Sequence, residues 1–414
     1  MSVTPTAYEQ YLLELVNWAR ANPTAQANFL GIDLNQNLPA GTISPSAKAP
    51  LAFNGLLIDA ARQHSDWMLA NNTFSHTGIG GSSARDRIEA SGYQPGWSGE
   101  NIAWRGTTGT LNLEESVYQS HNGLFVSSGH RTNLLHEEFK EIGIGVRTGE
   151  FTTSDGRSFN AGMITQKFGQ STDGPFLTGV VFDDRDQSGF YTVGEGLGGA
   201  AITARGTGGV FETATWGSGG YTLELQPGTY AVTVSYGGRT LEANVNIGTS
   251  NIKLDAIWAD MKVAVPDVVE GAIYRFYNEE TGVHFLTTSS DERDTIINSM
   301  PTFQYEGVAF TTSASQGDGM AIYRFYNPET RAHFYTADPN ERDLVQTEWP
   351  VFQYEGVAFH AYQDGGAGKQ GVHRLYNSES GAHFYTADTS EAQDALTNWS
   401  AFRYEGIAYY VDMA

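Results

Sequence analysis

Three near-copies of one segment fill the C-terminal third of the chain, and nothing else in the sequence restricts the fold as strongly. YRFYNEETGVHFLTT, YRFYNPETRAHFYTA and HRLYNSESGAHFYTA begin at Tyr274, Tyr323 and His373, 49 and 50 residues apart. Each is followed by a short helical pattern (DERDTIINSM, NERDLVQTEW, EAQDALTNWS) and then by FQYEGVAF or the variant FRYEGIAY. The expected unit is ββαβ, repeated with approximate threefold symmetry over residues 272–414, and about three units are needed before stacked repeats bury a continuous core. Alternation along YRFYN sends Tyr274 and Phe276 to one face and Arg275 and Tyr277 to the other, as it does for Arg324 with Tyr326 and Arg374 with Tyr376. One face fills a core while the other carries a basic and aromatic edge. On that edge Tyr277, Tyr326 and Tyr376, with the recurring His284, His333 and His383, are candidate ligand-binding residues. Aromatic faces beside polar groups stack on sugar rings, so carbohydrate binding at three weak sites acting together is the expectation.

A chain of 414 residues is too long for one ordinary core, so further domains should precede the repeats. Residues 7–23 place Tyr8, Tyr11, Leu12, Leu15 and Ala19 at helical spacing, with Pro23 ending the pattern. A second helix should follow Asn54 as N-cap, with Leu57, Ala60, Ala61, His64 and Met68 on one stripe, so that His64 faces the core. From about residue 175 the texture changes to alternating apolar residues broken by Gly, Asp and Thr, as in a small antiparallel β-sandwich. WADMKVAVPDVVEG, residues 258–271, has no clear period and holds a proline, which reads as a linker. The expected divisions are thus 1–170, 171–257, the linker 258–271, and 272–414.

Charge and composition remove several function classes. A formal net charge of −23, with no local basic patch, opposes binding to nucleic acid or to anionic membrane surfaces. The absence of cysteine excludes disulfides, thiolate metal sites and cysteine nucleophiles. No run of 18 apolar residues suggests a transmembrane segment. The start MSVTPTAYEQYL lacks the basic and apolar regions of a signal peptide, which leaves a removed leader, another export route or an internal location open.

Four ordered motifs lie in the first domain: FSHTG (Phe74–Gly78), SGENIAW (Ser98–Trp104), SSGHRTNLL (Ser127–Leu135) and EIGIGV (Glu141–Val146). In this order and at these distances they resemble the signature of the CAP superfamily, the fold of pathogenesis-related, antigen 5 and cysteine-rich secretory proteins, over roughly residues 8–169. The resemblance implies an α/β/α sandwich whose cleft holds two histidines and two acidic residues. By motif match the histidines are His76 and His130, and the first acid is Glu100. The second acid would fall in the helix before GHR, where His121 stands in ESVYQSHNGLF, so here the pattern is broken. Val117, His121 and Leu124 share one helical face, turned toward core or cleft. Imidazole nitrogen and carboxylate oxygen both bind zinc, which makes His76, Glu100, His121 and His130 the zinc candidates. Arg131 and Glu141 read as scaffold. No nucleophile is evident, so binding is the first expectation and a zinc-dependent, peptidase-like hydrolase the alternative.

The segment VVFDDRDQSGFYTVGEGL contains a second candidate site. Counting Asp184 as position 1 of a twelve-residue calcium loop, Asp186, Ser188, Gly189 and Glu195 fall at positions 3, 5, 6 and 12, with the Phe190 carbonyl at position 7. Residues 175–257 also resemble the B-type repeats of serine-aspartate surface adhesins, which implies a calcium-stiffened, immunoglobulin-like spacer. The C-terminal repeats resemble an uncharacterised bacterial family often appended to exported enzymes and adhesins, a likeness that implies no ligand. Together these readings describe a multidomain extracellular or cell-surface binding protein: a CAP α/β/α sandwich, an Ig-like β-sandwich and a threefold repeat module. Its partner would be a lipid, peptide or glycan.

Overall fold

The computed structural model describes residues 3–170, 172–263, 268–315, 317 and 319–413. The chain divides into two compact units, Met1–Lys262 and Val263–Ala414. Among the described residues no helix is long and apolar enough to cross a membrane.

The first unit opens with α1 (Ala7–Ala21), started by a capping box in which Thr6 and Glu9 exchange side-chain and backbone hydrogen bonds. Pro23 does not simply end this helix. It takes the first turn of α2 (Pro23–Phe29), where the N–H that proline lacks has no partner to lose. There follow β1 (Ala52–Phe53), α3 (Gly55–Ala70), α4 (Ala84–Ala90) and β2 (Ser98–Thr107). Then come α5 (Leu113–Val126), α6 (Ser128–Leu134), β3 (Glu141–Thr152) and β4 (Ser158–Gly169). Asn54 caps α3 by accepting from the backbone N–H groups of Leu56 and Leu57, as its sequence position predicts.

The sheet order is β1-β3-β4-β2, which leaves β2 on an edge, and helices cover both faces. EIGIGV explains how they approach. Ile142, Ile144 and Val146 join Leu12, Val16, Val117 and Leu124 in the core shared with α1 and α5. The glycines between them face α3, where a Cβ on Gly143 would lie 1.9 Å from the backbone carbon of Leu57, and one on Gly145 2.5 Å from that of Ala61. With no side chain at either position, α3 rests directly on the strand.

The same unit continues into a pair of sheets. β5 (Phe176–Phe182), β6 (Ala201–Gly206), β7 (Gly209–Ala214) and β8 (Gly220–Glu224) come first. They precede β9 (Gly228–Tyr236), β10 (Arg239–Ile247), β11 (Ile252–Lys253) and β12 (Ala256–Ile257). One sheet runs β10-β9-β6-β7; in the other, β5 pairs with β8, β11 and β12. Leu177 and Val181 of β5 enter a core with Ile202, Val232, Val234 and Val245. The alternate residues Val180 and Phe182 enter the core of the α/β layers instead. Because β5 is buried on both faces, the sheet pair is fused to the α/β layers. Lys253 reinforces the seam with a 2.8 Å ion pair to Glu14 of α1, and Asn251 donates to the carbonyls of Pro50 and Lys140 at 3.0 and 2.7 Å. Of the expected linker 258–271, Met261 is buried in the core of the sheet pair and residues 264–267 lie outside the described residues.

The second unit contains three copies of strand, strand, helix, strand. First strands Ala272–Asn278, Met320–Asn327 and Lys369–Asn377 pair with Val283–Thr287, Ala332–Thr336 and Ala382–Thr386. Phe310, Phe359 and Tyr409, at equivalent positions, meet edge-to-face with ring centroids 5.7 to 6.4 Å apart in a common core. Tyr335 donates its hydroxyl to the Leu286 carbonyl at 2.8 Å, and Tyr385 to that of Tyr335 at 2.6 Å. Ion pairs join the copies in a cycle, Arg275 to Glu391, Arg324 to Glu292 and Arg374 to Glu341, so each copy is held by both others.

Candidate functional site

Glu100 lies on edge strand β2 opposite Lys167 of β4, and their side chains share the face of the sheet covered by α3 and α4. The carboxylate is buried and pairs with the Lys167 ammonium, with Arg87 of α4 at 2.8 Å and with Nδ1 of His76 at 2.8 Å. Burial opposes its ionisation, but Lys167, Arg87 and His76 outweigh that cost and hold its pKa below the usual carboxylate value. Burial in turn pushes the Lys167 ammonium down to about 8, against the pull of Glu100. His64, on α3, is buried as the helical stripe predicts; its Nε2 lies 3.0 Å from the Ser75 carbonyl and 3.9 Å from Glu100.

His130 comes from α6, in the layer on the other side of the sheet. The Asn101 side chain, which points opposite to Glu100, donates to the His130 carbonyl at 3.2 Å. The His130 ring sits 6.3 Å, centroid to centroid, from that of His76. Its Nδ1 is 2.9 Å from the hydroxyl of Ser127, one helical turn earlier. An ionised Glu100 can only accept, so Nδ1 of His76 carries the proton. In each ring Nδ1 is thus engaged by a neighbour, and neither Nε2 has a hydrogen-bond partner among the described residues.

His121 does not join them. Ser116 of α5 packs on Gly162 of β4, which faces opposite to Lys167, so α5 and Glu100 lie on different faces of the sheet. His121 is 1% exposed, with neither ring nitrogen hydrogen-bonded. Burial alone pushes its pKa down to about 4, so it is a neutral core side chain. Among the described residues only Asp184, Asp186 and Glu195 gather three metal-donor atoms within 4.8 Å of one another. The quartet expected from the sequence is thus not assembled. Two histidines meet, Glu100 stands behind one of them, and His121 is elsewhere.

Arg87, Lys167 and Ser127 escaped the sequence reading. The lysine within the apolar run GMITQKFG was a signal, since a buried cation needs a counter-charge. Arg131 and Glu141 are scaffold as read: Arg131 donates to the carbonyls of Leu34 and Phe125, both at 2.9 Å, and Glu141 accepts from Asn54 and Tyr93, both at 2.7 Å.

In the second site Asp184 accepts from the backbone N–H groups of Ser188 and Gly189, both at 3.0 Å, which curls the loop around its carboxylate. Glu195 closes the loop by accepting from Arg185 and Thr192 N–H, both at 2.9 Å. Ser188 donates its hydroxyl to the Phe190 carbonyl at 2.9 Å. The loop also touches α1, through the Phe190 ring 6.4 Å from that of Tyr11.

In the repeats, Tyr277, Tyr326 and Tyr376 sit directly across the strand pair from His284, His333 and His383, with ring centroids 5.1, 5.0 and 5.2 Å apart. Each histidine also packs on a phenylalanine of a neighbouring copy, Phe384, Phe285 and Phe334 respectively. The six residues mark three equivalent junctions between copies.

Two segments of the chain match known families. Residues 13–166 match the CAP or cysteine-rich secretory protein family, and residues 272–412 match a domain of unknown function, DUF5648. Over 98 residues, 24% of this chain, the sequence is 33% identical to the uncharacterized membrane protein YlbC of Bacillus subtilis (strain 168). The match spans 26% of that protein, about a quarter of its length. An extracellular protein containing an SCP domain from Bacillus anthracis is similar at 26% identity and TM-score 0.26, over 40% of each chain. An outer surface protein of Borrelia burgdorferi is similar at 20% identity and TM-score 0.22, over 30% of this chain and 78% of that one.

Proposed function

We propose that this protein, whose residues 13–166 form a CAP domain, is an extracellular binding protein that holds zinc on His76 and His130. One observation carries the reading: two imidazoles side by side, each with Nδ1 fixed by a neighbour and Nε2 without a hydrogen-bond partner among the described residues. A metal-binding histidine typically gives its other ring nitrogen to a carboxylate or hydroxyl that orients it, and Glu100 and Ser127 supply those partners. Glu100 is unsuited to bind zinc directly, because Arg87 and Lys167 already neutralise it. With only two protein donors, zinc would leave positions for water or for a donor atom of a bound lipid, peptide or glycan. The CAP match supports the extracellular reading.

Asp184, Asp186 and Glu195, with Ser188 and the Phe190 carbonyl, are proposed to hold calcium. Through its contact with α1 that loop would brace the sheet pair against the CAP domain. The C-terminal repeats are proposed to bind glycan. Equilibrium dialysis of the full chain against zinc tests the first assignment: one zinc per chain is expected, lost in His76→Ala and His130→Ala with the thermal midpoint unchanged. Retention of zinc in both variants overturns it.

A further inference from the structure

We propose that the junctions of the C-terminal module form saccharide grooves selective for neutral sugars, and that two of the three equivalent grooves are functional. This rests on the glycan reading above and assigns its sites. The third and first copies enclose a groove of about 1010 Å³, lined by Tyr277 and His284 from one and by Glu379, Glu391, Asp394 and Trp399 from the other. Trp399, the C-cap of its helix, is 57% exposed. The second and third copies enclose a smaller groove of about 580 Å³, to which Asn340, Glu341 and Leu344 of the second helix contribute. That helix ends on Trp349, 49% exposed at the position equivalent to Trp399, although outside the residues that line the smaller groove. At the third junction the corresponding helix ends on Met300.

A large apolar side chain is thus left in water at the same place in all three copies, although the core of the module could gain from burying it. Two of the three are indoles, the side chain best suited to stack on the C–H face of a sugar ring. The polar lining sets the ligand class. Each junction arginine is already paired twice, Arg275 with Glu306 and Glu391, and Arg374 with Glu341 and Glu405. The arginines therefore have no charge left for an anion, while Glu379 and Asp394 remain as acceptors in the larger groove. Carboxylates accept from sugar hydroxyls and repel uronic acids and phosphosugars. Thr295 and Leu344 stand in the first and second helices where Asp394 stands in the third, so only the larger groove has that acceptor, and the first helix, ending on Met300, is the one without an indole.

The test titrates the full chain with neutral gluco-, manno- and N-acetylglucosamine oligosaccharides, with oligogalacturonate as the acidic probe. Expected are a neutral ligand bound at two sites per chain and no binding of the acid. Trp349→Ala and Trp399→Ala should each remove one site without moving the thermal midpoint, the double variant should weaken binding at least tenfold, and Met300→Trp should add a site. Neutral binding undiminished in the double variant overturns the groove assignment and leaves the glycan reading standing, as does preferential binding of the acid. If no oligosaccharide binds, the glycan reading fails and this inference with it.

Discussion

Glu100 accepts a hydrogen bond of 2.8 Å from Nδ1 of His76, and through it the edge strand β2 orients the ring beside His130. The carboxylate expected from the sequence as a zinc candidate stands behind the histidine, its charge shared among Lys167, Arg87 and His76.

Glu100→Gln should therefore weaken zinc binding by about 10–100-fold without abolishing it, as loss of an orienting partner does. His76→Ala should abolish it. Competition with a chromogenic chelator separates the two, and equal losses would make Glu100 a ligand.

Replacing His121 should help the fold and leave the metal alone. Both of its nitrogens are buried without hydrogen bonds, so His121→Leu should stabilise the first unit by about 1–3 kcal/mol. Its folded pKa, about 4, lies below the unfolded value near 6.5, so the unfolded chain takes up the proton first. The stability tied to neutral His121 is present above about pH 6.5 and is lost as pH falls toward about 4. Urea unfolding across that window should show a shallower decline in the variant.

The loop proposed to hold calcium should report on the seam as well as on its own sheets, because Phe190 reaches Tyr11 on α1. Chelation should lower the melting temperature of the first unit, and Asp184→Asn should remove that response. An unchanged melt in chelator would leave an acidic turn held by its own backbone.

Lys253 and Glu14 provide a direct check that the CAP domain and the sheet pair unfold together. Burial raises the Glu14 pKa although Lys253 opposes the shift, so Lys253→Met would strand a buried acid. The expected cost is about 3–5 kcal/mol, largely recovered in the double variant with Glu14→Leu. Two separated unfolding transitions in the first unit would contradict the fusion.

Much of this was legible in the sequence where a pattern is local. The repeats, the Asn54 cap, the buried His64 stripe and the spacing from Asp184 to Glu195 are each contained in a few turns or strands. Pro23 was half legible, since a proline stops one helix and starts another by the same missing N–H. The cluster around Glu100 was not. Arg87, Lys167 and Glu100 come from separate elements and meet only when β2 pairs with β4. His121 was misplaced because helical spacing gives the face a residue shares but not whether that face meets core or cleft. The fusion of the two domains was hidden because β5 reads as any apolar strand, and burial on both faces is a property of the assembled layers.

The central claim is a metal held by two histidines with Glu100 behind one of them, and X-ray absorption at the zinc edge of the loaded full chain measures it most directly. The account predicts two imidazoles per zinc, with light oxygen scatterers from water filling the shell, and the same spectrum in His121→Leu. A third imidazole that disappears in His121→Leu would contradict it, as would zinc bound with no imidazole at all.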